Sequence, residues 1–451
     1  MAKNTTRFVC KDCGYEAPKW LGRCPGCGLW NTLLEESVPT RAAERSGPRI
    51  PALSLADIPE TPSFRFPSGI GELDRVLGGG IVPGSLILLG GDPGIGKSTL
   101  LLQVADLIAS PHKKVLYLSG EESAGQIRLR ASRLGIDNPA IFFLTEQNIE
   151  RLDEYLQDID PGLVIIDSIQ TVYTASISSI PGSISQLRES TAKIMELAKT
   201  TERVFVLVGH VTKEGALAGP KVLEHMVDVV IYFEGEKNFP FRLLRGVKNR
   251  FGATDEIGLL EMSGMGLQEV LDPSQIFLSL RDNGVSGSAV AASFEGSRPL
   301  LIEVQALVAP TGLGYARRMA SGIDQNRLAL IIAVLEKRRG FNLGAFDVYL
   351  KVTGGVFLRD PAADLGIAAA ILSSYRDKPL AADMVFAGEL GLAGDIRPVP
   401  FLEARLKEAV KMGFRRVMVP FGAINALNKD LGLEIIEIKN LDDFIDKVTE
   451  G

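Results

Sequence analysis

The sequence predicts an α/β chain in three parts. A small four-cysteine module comes first, then a mostly parallel sheet covered by helices, then a second domain of α+β type. Three observations predict this. At 451 residues the chain is too long for one core. Between residues 63 and 271, short apolar runs alternate with helical patterns, as in parallel sheets buried on both faces. From about residue 272 the pattern changes to alternating strands followed by one long helical run.

Bulk composition is that of an ordinary globular protein, with 46% hydrophobic and 23% charged residues. A net charge of −6 excludes a chain that is basic throughout, although local basic patches remain compatible with it. The amino terminus lacks the apolar core of a secretory signal, and no apolar run approaches a bilayer-spanning length. The expectation is a cytoplasmic protein with no membrane partner.

All four cysteines fall in the first 27 residues, at Cys10, Cys13, Cys24 and Cys27, in the pattern C-x2-C-x10-C-x2-C. Two symmetric pairs offer four thiolates, which suit tetrahedral Zn²⁺ better than two disulfides or a redox pair. A module of about 30 residues holds little core of its own, so bound Zn²⁺ would supply folding energy. Lys3, Arg7, Lys11, Lys19 and Arg23 oppose Asp12 and Glu16 there. With the zinc–thiolate charge included, the module is not a nucleic-acid clamp on charge alone. We place this module at 1–34. Residues 35–62, rich in Pro, Ser and charge without a sustained period, read as a linker.

The strand Leu86–Leu89 then feeds Gly91-Asp92-Pro93-Gly94-Ile95-Gly96-Lys97-Ser98-Thr99, followed by a helix with apolar positions 100, 101, 104, 105 and 108. This is GxxxxGK[ST] in its proper strand–helix setting. Loop amides and the helix N-terminus would wrap the phosphates of ATP, Lys97 would reach the outer ones, and Ser98 would ligate Mg²⁺. VLYLSGEES (115–123) ends in Glu121 and Glu122, either of which could polarise an attacking water. LVIIDS (163–168) carries Asp167, placed to hold Mg²⁺ through water. VFVLVGH (204–210) ends in His210, which reads equally well as structural or as a γ-phosphate sensor.

The order of GDPGIGKST, SGEES, VIIDS and GHVTKEG resembles the RecA-type ATPase core. With the cysteine pairs and KNRFG (248–252), the whole chain resembles the bacterial RadA (Sms) family of recombination and repair proteins. The resemblance implies a DNA-stimulated ATPase, a hexameric ring on single-stranded and branched DNA that drives branch migration, with the recombinase RecA as a partner. RecA-type cores bind ATP at subunit boundaries. Lys248 and Arg250, alternating on an extended segment, would serve the γ-phosphate of a neighbour as trans-acting cations. Two stretches, 173–190 and 212–225, read as mobile loops facing DNA in a central channel.

The region 272–451 contains VFAGELGLAGDIRPVPFLEARLKEAV and resembles the proteolytic domain of Lon proteases. Where those enzymes carry a serine and a lysine, this chain has Ala362-Ala363-Asp364 and Glu403-Ala404-Arg405. Neither Glu nor Arg can act as the neutral amine base of a Ser–Lys dyad, so protease chemistry is not expected. Residues 312–351 carry Arg317, Arg318, Arg327, Lys337, Arg338, Arg339 and Lys351 against Asp324, Glu336 and Asp347, either a solvated helix face or a duplex-binding surface. Besides the DNA motor, an ATP-dependent protease and a signalling ATPase are the competing readings. The missing dyad counts against the first, and the zinc module and Lon-like tail against the second.

Overall fold

The computed structural model describes residues 5–10, 15–26, 28–38, 54, 64–210, 222–235, 240–254, 256–278, 284–312, 314–423 and 431–450. The chain divides into two compact units, residues 1–234 with 242–269, and residues 235–241 with 270–451.

The first unit begins with β1 (Thr5–Cys10), β2 (Glu16–Ala17) and β3 (Leu33–Val38), an antiparallel sheet in the order β2-β1-β3. Its small core is Cys10, Ala17, Cys24 and Leu33.

The larger sheet of this unit has nine strands. After helix α1 (Gly71–Val76) come β4 (Leu86–Gly91), α2 (Lys97–Ile108), β5 (Lys114–Ser119), α3 (Ala124–Arg133), β6 (Ile141–Leu144), α4 (Leu152–Ile159), β7 (Pro161–Asp167), α5 (Ile184–Thr201), β8 (Val204–His210) and β9 (Val229–Glu234). The edge is completed by β10 (Phe241–Asn249), β11 (Ile257–Ser263) and β12 (Gly266–Glu269). The order is β12-β11-β10-β9-β4-β8-β7-β5-β6, with β4 at the centre and parallel to both neighbours. Alternate residues of each central strand enter two different cores. Ile87, Leu89, Val115, Tyr117 and Ile165 pack on one face, and Leu86, Leu88, Leu116, Leu118, Val164 and Ile166 on the other. A period of two with both faces apolar is what makes these strands read as unbroken hydrophobic runs.

The expected loop at 173–190 is only half a loop, because α5 starts at Ile184. Ser183 caps that helix by accepting from Gln186 N. The buried Gln186 side chain accepts from Thr174 N and donates to Thr174 O and Ser179 O, so residues 174–179 are tied to the helix. The buried Gln186 amide, bonded to the backbone of Thr174, Ile177 and Ser179, joins the first part of this stretch to α5. Residues 211–221, most of the second expected loop, lie outside the described residues.

The second unit contains α6 (Pro273–Leu278), β13 (Ser288–Glu295), β14 (Arg298–Pro310), β15 (Arg318–Ser321), α7 (Gln325–Arg339), β16 (Phe346–Val352), α8 (Asp364–Arg376), β17 (Met384–Phe386), β18 (Glu389–Leu390), β19 (Ile396–Arg397), α9 (Leu402–Lys411), β20 (Arg416–Pro420), β21 (Glu434–Ile438) and α10 (Leu441–Glu450). Its main sheet runs β15-β16-β14-β13-β17-β20-β21, and β18 with β19 forms a separate hairpin. Helix α8 is buried from Asp364 through Ser373. A Cβ at Gly366 would lie 2.7 Å from Ala291 Cβ, so only glycine lets α8 approach β13 this closely.

Candidate active site

The phosphate loop leaves β4 at Gly91 and closes on α2, whose first residue is Lys97. Gly96 at the N-cap has φ 117° and ψ 12°, a conformation reserved for glycine. A Cβ at Gly91 would stand 2.5 Å from Phe233 O. Lys97 is buried, and its ammonium donates to Gly91 O (2.8 Å) and Asp92 O (3.0 Å) and lies 3.2 Å from His210 Nδ1. Burial lowers the Lys97 pKa, with Asp167, Glu121 and Asp92 opposing that shift. The site thus sets a buried cation under a glycine cradle, beside Asp167, Glu121 and Asp92 and at the N-terminus of α2.

Parallel pairing brings the remaining groups to the same end of the sheet. Gly91 is opposite His210, and Ser119 is opposite Asp167, so the loop, both carboxylate-bearing strand ends and the histidine share the C-terminal edge, where open α/β sheets bind ligands. Asp167 is buried, and its Oδ2 accepts from Tyr117 Oη at 2.6 Å. Burial, then the Asp167 charge, hold the Tyr117 phenol well above its ordinary pKa, and a hydrogen bond with Ser98 opposes the shift. Tyr117 thus touches both groups expected to hold Mg²⁺, Ser98 and Asp167. Sequence reasoning missed it; the available signal was a phenol in the middle of the apolar run Val115–Leu118.

The two adjacent glutamates have different surroundings. Glu121 Oε1 accepts from Ser168 Oγ at 2.6 Å and lies 3.2 Å from His210 Nε2, although the imidazole is not aligned for a hydrogen bond there. Glu122 is paired with Arg130 at 2.5 Å, and its amide donates to Ser119 Oγ. Glu121 therefore faces the Lys97–His210 cluster while Glu122 is tied to α3. Gln170 Nε2 donates to His210 O (3.3 Å).

KNRFG lies at the other end of the sheet. Lys248 and Asn249 pair with Val230 and Val229 of β9, and Val229 pairs with Ile87 near the start of β4. Asp228 N donates to Leu86 O, and Arg250 N donates to Asp228 O. Arg250 thus stands beside the first residue of β4, whereas the phosphate loop leaves from the last. At the rise of a strand, that is about 16 Å along the sheet. Lys248 Nζ donates to Glu224 O (2.8 Å) and His225 O (3.3 Å). Arg250 is 54% exposed and pairs with the buried Asp228 at 3.1 Å. Asp228 is an anion beside Arg250 that the sequence did not advertise. Asn249 is buried and accepts from Phe251 N, which shapes the turn after the two cations.

Of the four cysteines, Cys10 and Cys24 are described and both are buried; Cys13 and Cys27 lie outside the described residues. Cys10 N donates to Tyr15 O and Cys24 N to Leu29 O, the same offset with the same 2.9 Å length. The two cysteine turns are built alike and both thiols enter one small core, which fits a tetrathiolate Zn²⁺ site.

In the second unit, Ala362 and Ala363 are fully buried at the entrance of α8, with no hydroxyl. Arg405 is 1% exposed and pairs with Asp360. It also donates to Ala292 O (2.9 Å) and Pro400 O (3.0 Å) and stacks over Phe294. Where a catalytic lysine would stand, the chain thus carries a structural guanidinium. Lys407 pairs with Glu403 at 2.6 Å. Arg327, counted in the basic run, is withdrawn from the surface: it donates to Asp364 (2.7 Å), Leu358 O and Asp360 O. Arg318 likewise donates to Phe346 O and Leu343 O. Arg317, Lys337, Arg338 and Lys351 remain exposed.

A central phosphate loop, a buried strand-end aspartate and a glutamate poised across from them, all on a mostly parallel sheet, define a P-loop ATPase. Residues 57–216 match the family model of the AAA domain, residues 8–35 that of the rubredoxin metal binding domain, and residues 355–423 that of subunit ChlI of Mg-chelatase. The chain is 51% identical over 448 residues to the DNA repair protein RadA of Bacillus subtilis (strain 168), covering 98% of each. It is 52% identical over 423 residues to that of Listeria monocytogenes, covering 93% of each. With that of Streptococcus pyogenes serotype M1 it shares 50% over 452 residues, 99% of this chain and all of the relative. The chain belongs to the DNA repair protein RadA family.

Proposed function

We propose that this chain is a DNA-stimulated ATPase of recombination and repair, working as a cytoplasmic homohexameric ring on single-stranded and branched DNA and driving branch migration beside a RecA-type recombinase. The observation that carries this reading is the separation of KNRFG from its own phosphate loop. Arg250 stands about 16 Å and Lys248, level with Leu88 through Val230, about 10 Å along the sheet from the phosphate loop of their own chain; a head-to-tail neighbour would bring both cations to a nucleotide. Such heterologous contacts close into rings.

In this reading residues 1–34 are the zinc module, 35–62 the linker, 63–271 the ATPase domain and 272–451 the Lon-like domain. The loop from Gly91 to Thr99 binds the phosphates, and Lys97 leaves its carbonyl partners for them. Ser98 and Asp167, both touched by Tyr117, hold Mg²⁺, which neutralises phosphate charge when bound. Glu121, oriented by Ser168, takes the proton of the attacking water, and His210, in contact with both Lys97 and Glu121, relates phosphate occupancy to Glu121. Lys248 and Arg250 of the next subunit stabilise charge developing on the γ-phosphate. The exposed Arg317, Lys337, Arg338 and Lys351 contact duplex backbone. The test is the ATP turnover of the full chain with and without single-stranded DNA, together with its mass in solution with ATP. Stimulation by DNA and a ring-sized mass are expected; a monomer with turnover indifferent to DNA overturns the proposal and favours the signalling ATPase.

A further inference from the structure

The second unit holds a cavity whose wall is mostly apolar and carries one row of polar groups. Its volume is about 490 Å³, within the usual range for small-molecule sites. Strand register explains its lining. Ser288 on β13, Gln305 on β14, Lys351 on β16 and Ser321 on β15 are consecutive cross-strand partners, so they form one polar row across four neighbouring strands. The next row on the same face is Leu307, Tyr349 and Met319. Leu307 and Met319 are more than half exposed, so the apolar row forms the outer part of the cavity wall.

At the inner side lies Glu303, two residues before Gln305 and hence on the same face of β14. It is 1% exposed. Its Oε1 accepts from Ser288 Oγ at 2.6 Å, while its Oε2 is buried with no hydrogen-bond partner. Lys351 lines the same cavity but leaves that oxygen unpaired. A buried carboxylate oxygen without a donor is costly, and such groups are ordinarily satisfied by protein, water or ligand.

From these features we infer that the cavity is a binding site for a small organic cation, a primary ammonium on a short apolar stem. The ammonium donates to Glu303 Oε2 as that carboxylate turns from its buried position toward the cavity, its remaining protons reach Ser288 and Gln305, and the stem lies along Leu307, Tyr349 and Met319. An anion would meet the Glu303 charge. A metal ion would find one carboxylate, and no cluster of three potential ligands occurs among the described residues. An amine supplies the missing donor and apolar surface together.

The experiment uses the full chain, free of DNA, titrated with pentylamine, pentanol and pentanoate and followed by calorimetry. Pentylamine is expected to bind saturably, with the alcohol and the carboxylate at least about tenfold weaker, the size of one charge-assisted hydrogen bond. Glu303→Gln should remove the preference for the amine while leaving ATP binding at Lys97 unchanged. Should Glu303→Gln fail to fold, Met319→Trp tests the same site from its exposed wall and should block pentylamine without touching the carboxylate. Equal binding of the three probes, no binding of pentylamine, or a preference surviving both substitutions overturns the assignment. Failure to bind pentylamine would mean that Lys351 or water satisfies Glu303 in solution.

Discussion

Arg250 Nη1 lies 3.1 Å from Asp228 Oδ1, and Asp228 in turn accepts from Leu86 N at 3.0 Å, at the very start of the strand that ends in the phosphate loop. Through Asp228 the cation is therefore held beside the start of β4, while the phosphate loop leaves from its end.

Asp228 is the hinge of that arrangement, since Lys199 also donates to it at 2.7 Å. Asp228→Ala strips an acceptor from two cations and a buried amide. Both cations are half exposed, so water recovers part of the loss, and the expected destabilisation is about 1–3 kcal/mol. ATP turnover should fall further than stability because Arg250 loses its orientation. Chemical denaturation and steady-state ATPase assays measure the two effects; turnover at the parental rate would show that Arg250 needs no such support.

Glu121 and Glu122 separate cleanly by substitution. Glu121→Gln keeps the volume but removes the carboxylate facing Lys97 and His210; if Glu121 is the base, turnover should drop by about 10² to 10⁴-fold with nucleotide binding retained. Glu122→Gln weakens only a partly exposed pair with Arg130, so stability should fall by less than about 1 kcal/mol and turnover should persist. The reverse ranking would exchange their roles.

Metal removal probes the amino-terminal module. One Zn²⁺ per chain is expected, lost on Cys10→Ser or Cys24→Ser, because each contributes a buried thiol to one small core. ATP binding at Lys97 should survive the loss. Elemental analysis of protein purified without chelator decides the matter, and a zinc content near zero would end this reading.

Features carried by local spacing were legible in the sequence. The phosphate loop, the strand-end aspartate and the cysteine pairs are written within a few residues each. The helix positions Leu100, Leu101, Val104, Ala105 and Ile108 are all buried, as the period required. What escaped were contacts between distant residues. Tyr117 meets Asp167 across 50 positions, and Arg405 meets Asp360 across 45. Arg327 looked like surface charge because α7 is rich in cations, yet Asp364 at the head of α8 draws it inward. Charge counts along a chain cannot reveal which guanidinium has a buried carboxylate waiting for it.

Arg405 is where the Lon-like unit should prove sensitive. Removing it leaves Asp360 buried without its guanidinium, and Ala292 O and Pro400 O lose their donor. Arg405→Ala should cost about 3–5 kcal/mol. Arg405→Lys should recover part of this but yield no casein hydrolysis, since Ala362 and Ala363 provide no nucleophile. Peptidase activity in Arg405→Lys would overturn the structural account of this residue.

The geometry of KNRFG makes its strongest claim in mixed assemblies. Lys97→Ala gives a chain with a dead nucleotide site and intact cations; Arg250→Ala gives the converse. Each alone should lose turnover by about 10³-fold or more, because a trans-acting cation of this type contributes 10³ to 10⁵ in rate. If Arg250 serves its neighbour, a ring containing both variants has junctions where a sound loop faces a sound arginine, and some activity returns. If it served its own chain, every subunit would stay defective whatever its neighbours. The separation of about 16 Å along β4 predicts recovery. The measurement is ATPase activity against mixing ratio under conditions where subunits exchange, with a maximum expected near equal amounts. A flat line at the level of the single variants, with exchange verified by labelled subunits, would return Arg250 to a purely structural role beside Asp228.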